Sequence, residues 1–329
     1  MNYLGKLVVA AMLTGFTMSA AAHNFSSLYV FGDSLSDSGN IALAIGSDPN
    51  QIITGNDYIP SSPYASGHFT DGDVWMSEFA NAIGLASFAA PALAGGGNFA
   101  FGGARTSSDA LNLPPSLIAQ GALFLQGNGG AAPPDALYVL QSGGNDARDA
   151  LTEIASGTDL GTVTGTAAIE YAQATGALID QLQAAGAERI VVWNVPNIGL
   201  APAITSQGPQ VALIGEQIAS AMNDALSDRI SEEIGVTIFD DFSLVTSAVI
   251  DPAATGLLNM TDACGAISAC DPSTYLFWDG LHPTSAGHAL LAQELLEHRL
   301  QRALAGRRGA LEADQHRLLL RGDARVAFP

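Results

Sequence analysis

The chain has 329 residues, 48% hydrophobic and only 13% charged, with 32 acidic against 12 basic side chains and a net charge of −20. That length allows one large α/β domain or two smaller ones, and so acidic a body repels nucleic acid and anionic membrane surfaces. The imbalance is uneven. Residues 23–298 hold 29 acidic side chains against Arg105, Arg148, Arg189 and Arg229, a net of −25, whereas 299–329 hold seven Arg against Glu312, Asp314 and Asp323.

Residues 1–22 read as a secretory signal peptide, not as fold. Lys6 gives a positive start, Leu7 to Met18 is almost wholly apolar, and Ser19-Ala20-Ala21-Ala22 offers small residues for cleavage. The apolar run is shorter than the roughly 20 residues of a membrane span, and no later stretch is long and apolar enough for one. The expected mature protein is therefore exported, periplasmic or extracellular, with no transmembrane span.

Leu28-Tyr29-Val30-Phe31 is short, apolar and rich in β-formers, so it predicts a buried strand. It runs into Gly32-Asp33-Ser34-Leu35, an abrupt turn that sets a serine at the carboxyl end of a strand, where open α/β sheets place their ligands. Residues 41–70 read as an extended loop. They lead to Thr70-Asp71-Gly72-Asp73 and then to Val74, Trp75, Phe79, Ala82 and Ile83 at helical spacing. Asp71 and Asp73 suggest a cation site, but capping of that helix explains them with fewer assumptions.

Gly95 to Thr106 is too glycine-dense for ordinary secondary structure, and its central Phe99-Ala100-Phe101 implies a packed segment. It lacks the Lys-Ser/Thr ending of a phosphate loop. Residues 107–134 read as loop and short helix. Ala136–Gln141 is a second buried strand, ending at Ser142-Gly143-Gly144-Asn145-Asp146. A helix over 164–185, a strand over 189–195, a helix over 209–234 and a strand over 236–239 follow. This alternation predicts parallel βαβ units with helices on both faces. Cys264 and Cys270, six apart in an exported chain, predict a local disulfide, since no further Cys or His stands near enough to make a metal site. After Tyr275 to His288 a helix runs to about Leu304, and 305–329 form an Arg-rich tail.

A serine hydroxyl needs an adjacent general base to act as a nucleophile at neutral pH. Histidine suits that role, with a carboxylate to fix its tautomer. Asp279 and His282, three apart in a Gly-containing loop, can meet so that the carboxylate accepts from Nδ1 while Nε2 faces outward. His288 is a weaker candidate, and His23, His68, His298 and His316 have no carboxylate presented in this way. Donors for a developing oxyanion are available at the Ser34 N–H, a backbone N–H at Gly103 and the Asn145 amide. No Gly-x-Ser-x-Gly elbow occurs.

Four blocks carry a resemblance: Gly32-Asp33-Ser34-Leu35, the Asn98–Thr106 glycine segment, Gly143-Gly144-Asn145-Asp146, and Asp279-Gly280-Leu281-His282-Pro283. In this order the chain resembles the GDSL (SGNH) hydrolases over 28–288, and Phe31 to Asn40 is similar to their secreted lipase, esterase and phospholipase branch. The resemblance implies a flavodoxin-like three-layer α/β/α sandwich with about five parallel strands, in one hydrolase domain over 23–304. It implies Ser34 as nucleophile, His282 as base and Asp279 as its orienter. Ser34, Gly103 and Asn145 would be the oxyanion donors, with neighbouring Gly102 the rival for the middle place. The chain is thus expected to be a serine ester hydrolase acting on a small-molecule or lipid ester, without metal or cofactor; the acidic body argues against a nucleic-acid partner, and a monomer is expected, with the oligomeric state left open. Two alternatives stand beside it: a phospholipase or lipid acyltransferase with the same triad, and a lipid- or carbohydrate-binding module that has lost catalysis.

Overall fold

The computed structural model describes residues 25–107 and 114–298; the leader over 1–22 and the tail over 305–329 lie outside them. In chain order the elements are β1 Leu28–Gly32, α1 Asn40–Ile45, α2 Trp75–Ala82, α3 Leu117–Gly127, β2 Leu137–Gln141, α4 Gly144–Ala155, α5 Leu160–Ala184 and β3 Ile190–Trp193. They continue with α6 Pro202–Thr205, α7 Pro209–Ile230, β4 Val236–Phe239, α8 Asp241–Ile250, β5 Asn259–Ala263 and β6 Tyr275–Phe277. A last helix, α9, covers 285–298.

The strands β1-β2-β3-β4 form a wholly parallel sheet in that order, in register Leu28↔Leu137, Tyr138↔Ile190 and Ile190↔Val236. β2 and β3 are buried at every position, as expected where helices cover both faces. Alternate side chains divide between two cores. Phe31, Tyr138, Leu140, Ile190 and Val192 pack with Phe124 of α3, Leu178 of α5 and Met222 of α7. Leu28, Val30, Leu137, Val139, Val191 and Trp193 face Trp75, Met76 and Phe79 of α2 and Leu291 and Leu295 of α9. This period-two division is the physical content of a three-layer α/β/α sandwich.

The sheet has four regular strands, and the glycine segment supplies an irregular fifth. Val30 donates to Gly97 O at 3.0 Å, Phe99 donates to Val30 O at 2.7 Å, and Phe101 donates to Gly32 O at 3.1 Å. Residues 97–101 thus lie parallel on the free edge of β1, outside the first strand as in the flavodoxin order. Glycine-rich sequence rarely reads as a strand because it offers no side chains to pack.

Boundaries shift by a few residues. α5 starts at Leu160 because Asp159 caps it, its carboxylate accepting from Thr162 N at 2.9 Å. The expected capping of α2 is not what Asp71 and Asp73 do: Val74 is its N-cap and no side chain caps it. Asp71 instead caps α9, accepting from Ser285 N at 2.7 Å and Ser285 Oγ at 3.0 Å, while Asp73 is exposed. The reason is tertiary: the 41–72 loop folds against the chain entering α9, and Thr70 Oγ1 donates to Pro283 O at 2.8 Å. α1, which occupies the start of the stretch read as loop over 41–70, and α4, α6, α8 and the small parallel pair β5–β6 are elements the sequence pattern leaves unread.

Cys264 and Cys270 are joined, with Cα atoms 5.6 Å apart. Gly265 N donates to Trp278 O at 2.9 Å, so the small cross-linked loop is fastened to the residue just before Asp279.

Candidate active site

The site lies beyond the carboxyl ends of β1 and β2. β1 ends on glycine because a Cβ at Gly32 would stand 2.1 Å from Gln141 O of the neighbouring strand. The chain then turns on Asp33, whose carbonyl accepts from Ser36 N at 3.1 Å and Asp37 N at 3.0 Å, while its Oδ1 accepts from Leu35 N at 3.0 Å. This leaves Ser34 at the apex. Asp37 holds the turn to the glycine segment: its carboxylate accepts from Gly39 N, Asn40 N and Ile41 N, and from Gly102 N at 2.8 Å.

Asp279, His282 and Ser34 form one hydrogen-bonded chain. Asp279 is fully buried. Its Oδ1 accepts from Leu281 N and His282 N, both at 2.7 Å, and its Oδ2 faces His282 Nδ1 at 2.7 Å. An ionised carboxylate can only accept, so Nδ1 carries the proton. Nε2 then accepts from Ser34 Oγ at 2.8 Å. Phe69 lies against the imidazole, with ring centroids 5.3 Å apart.

Sequence reasoning missed Tyr64. Its hydroxyl donates to Asp279 Oδ2 at 3.1 Å across 215 positions, and its ring packs edge-on against Trp278. Burial and the Asp279 charge push this phenol up from its ordinary range, so it stays a donor. Nothing in the 41–70 loop pattern separates it from any other loop tyrosine.

Gly102 and Gly103 differ in what their N–H groups already do. Gly102 N is spent on Asp37, whereas Gly103, at φ +81°, has an N–H with no acceptor among the described residues. That left-handed turn is open to glycine at little cost. The Ser34 N–H is likewise uncommitted among them. Asn145 has its amide orientation fixed, since Nδ2 donates to Ala104 O at 2.9 Å and Oδ1 accepts from Arg148 Nη1 at 3.2 Å. One amide hydrogen remains free for a ligand. Asp146, the next residue, accepts from Thr106 N and Oγ1 and so ties the glycine segment to α4.

His288 is not brought to the site. It is buried, neither ring nitrogen has a hydrogen-bond partner among the described residues, and burial pulls its pKa down to about 3. His68 Nδ1 contacts Gly72 O at 2.7 Å and lies 3.9 Å from Asp73 Oδ1, with no hydrogen bond to Asp279, His282 or Ser34.

Two cavities meet at Ser34 and His282. One is a cleft of about 500 Å³ bordered by Ile45, Ile59, Phe101, Gly103, Arg105 and Arg148. The other, of about 80 Å³, is narrower and apolar, with Leu35, Ile198, Val245, Phe277 and Leu281 in its walls and Asp33 and Asp241 beside them. Burial pushes Asp33 up to about 6 and Asp241 up to about 7. Asp241 Oδ1 has no hydrogen-bond partner among the described residues.

The raised Asp241 pKa sets a stability trend. The folded chain keeps this proton from about pH 4 to 7 while the unfolded chain releases it, so its contribution falls as pH rises through that window. Asp241→Asn, neutral at every pH, is expected to be more stable than the wild type at pH 8, on the order of 2–4 kcal/mol. The gain should vanish near pH 4. Denaturant melts at both pH values check this, and parallel stability curves for the two proteins would contradict it.

A family model described as GDSL-like Lipase/Acylhydrolase matches residues 28–295. The chain is 28% identical to a GDSL esterase/lipase of Arabidopsis thaliana, over 83% of this chain and 89% of that protein. It is 30% identical to esterase EstA of Pseudomonas aeruginosa, over 88% of this chain and 49% of that one, so it spans about half of EstA's length. A solved structure of a lipolytic G-D-S-L family protein from Veillonella parvula covers 82% of this chain and is itself covered to 96%, with a TM-score of 0.41 and 13% identity.

Proposed function

The chain belongs to the GDSL-like lipase/acylhydrolase family, and from that premise we propose that it hydrolyses carboxylic esters through Ser34, His282 and Asp279. The observation that carries this reading is the unbroken chain Asp279–His282–Ser34 at 2.7 and 2.8 Å, opening on a cleft.

In this mechanism His282 Nε2 takes the Ser34 proton as Oγ attacks the ester carbonyl, and Asp279 steadies the imidazolium through Nδ1–H. The carbonyl oxygen, now negative, accepts from the Ser34 and Gly103 N–H groups and from Asn145 Nδ2. His282 returns the proton to the leaving alcohol. A water molecule, deprotonated by the same nitrogen, then releases the acid and restores Ser34. Export as a single hydrolase domain over 23–304, after removal of 1–22, belongs to the same reading; N-terminal sequencing of the protein from the medium or periplasm tests it.

A fluorophosphonate probe tests the core of the proposal. It is expected to label Ser34 stoichiometrically in the wild type and to leave Ser34→Ala unlabelled. Equal labelling of both proteins would end the assignment. Asn145→Ala should still be labelled but turn over esters roughly 10²–10³ times more slowly, the usual loss for one oxyanion donor. A kcat within threefold of wild type would remove Asn145 from the oxyanion site.

A further inference from the structure

The body of this protein carries four cations, and three have evident work. Arg105 makes a two-pronged pair with Asp149 at 2.8 and 2.9 Å, and Arg229 bridges Asp180 and Glu233. Arg189 lies over the Phe25 ring, away from the cleft. Arg148 is different. It borders both cavities at their junction beside Ser34 and His282, and no carboxylate lies within 4 Å of it among the described residues.

Among the described residues its one side-chain hydrogen bond is the 3.2 Å contact from Nη1 to Asn145 Oδ1. A guanidinium has five N–H donors, so four remain. Its neighbours on the helix face, Gly144, Asn145, Leu151 and Thr152, bring no acid to it. The carboxylate that could have served it, Asp149, is turned to Arg105. The side chain is partly buried, and burial pulls this guanidinium below its ordinary range although the charges of Asp149, Asp279 and Asp33 act the other way; none of the three is in contact with it.

We propose that Arg148 is a substrate-recognition residue that binds an anionic oxygen group, carboxylate or phosphate, carried by the ester within a few bonds of the scissile carbonyl. The planar fork suits two such oxygens at once. Arg148 sits one helical turn after Asn145, so an anion held there lies next to the carbonyl oxygen that Asn145 would hold. This deepens the ester-hydrolase reading and rests on it.

The test compares matched esters with the purified protein. One pair is mono-4-nitrophenyl glutarate against 4-nitrophenyl valerate, with the charge on the acyl side. The other is a lysophosphatidate against the monoacylglycerol of the same chain, with the charge on the alcohol side. The acidic body by itself disfavours the charged member of each pair. The wild type is nonetheless expected to turn over the charged member of one pair at least as well as the neutral one, by kcat/KM. R148Q should lower that ratio tenfold or more, in keeping with loss of a charge-assisted hydrogen bond. R148K, which keeps the charge but not the fork, should fall between.

A wild type that prefers the neutral ester tenfold in both pairs overturns the proposal without any variant. So does an R148Q ratio within twofold of wild type, even if both rates fall together, for that pattern assigns Arg148 to holding Asn145. Absence of turnover of all four esters by wild type would instead sink the hydrolase reading itself and this inference with it.

Discussion

Ser34→Ala and His282→Ala are each expected to lower kcat for ester hydrolysis by roughly 10⁴–10⁶, and the double variant should be scarcely worse than either single one. Ser34 without a base is a poor nucleophile, and His282 without Ser34 has nothing to deprotonate, so the two act as a unit. Among the described residues Ser34 Oγ has a single hydrogen-bond partner, His282 Nε2, and its removal costs the fold about 1 kcal/mol. Thermal melts should therefore stay close to wild type while activity collapses. Steady-state kinetics on a 4-nitrophenyl ester decides the matter, and a Ser34→Ala rate within tenfold of wild type would exclude Ser34 as nucleophile.

Asp279→Asn has the second largest expected effect, roughly 10⁴-fold in kcat. The native carboxylate accepts four hydrogen bonds: two backbone N–H groups on Oδ1, with His282 Nδ1 and Tyr64 on Oδ2. An amide offers one acceptor oxygen. If it keeps the backbone donors, its NH₂ faces His282 Nδ1 and the Tyr64 hydroxyl. The imidazole then shifts its proton to Nε2, which turns a hydrogen toward Ser34 where a lone pair is needed. If the amide flips, the NH₂ faces two backbone N–H groups instead. The first arrangement leaves the buried Tyr64 proton without its acceptor and the second sets buried donors against each other, so a stability loss of about 1–3 kcal/mol should accompany the kinetic one. Slowed fluorophosphonate labelling would register the wrong tautomer. A kcat within tenfold of wild type would leave His282 without need of its carboxylate.

The sequence by itself determined the frame. Leu28–Phe31 and Ala136–Gln141 read as buried strands because strands covered on both faces are apolar throughout, a property local to each run. Ser34, Asn145 and the Asp279/His282 pair were legible for a related reason. Ser34 and the Asp279/His282 pair stand in short turns and Asn145 in the first turn of α4, each with glycines and spacing written within a few residues, and Asp279 meets His282 across three positions.

The tertiary structure decided what depends on partners far along the chain. Gly102 and Gly103 look alike until Asp37, 65 positions away, takes the N–H of one. Tyr64 becomes a ligand of Asp279 only when the 41–72 loop closes over it. Asp71 caps α9 rather than α2, and residues 97–101 become an edge strand only because β1 offers them its unpaired side. Among the described residues Arg148 stands without a carboxylate in contact although Asp149 is its neighbour in sequence, because Arg105 claims that group. In each case distant groups compete for one donor or acceptor, and the fold's geometry settles that competition where no local pattern records it.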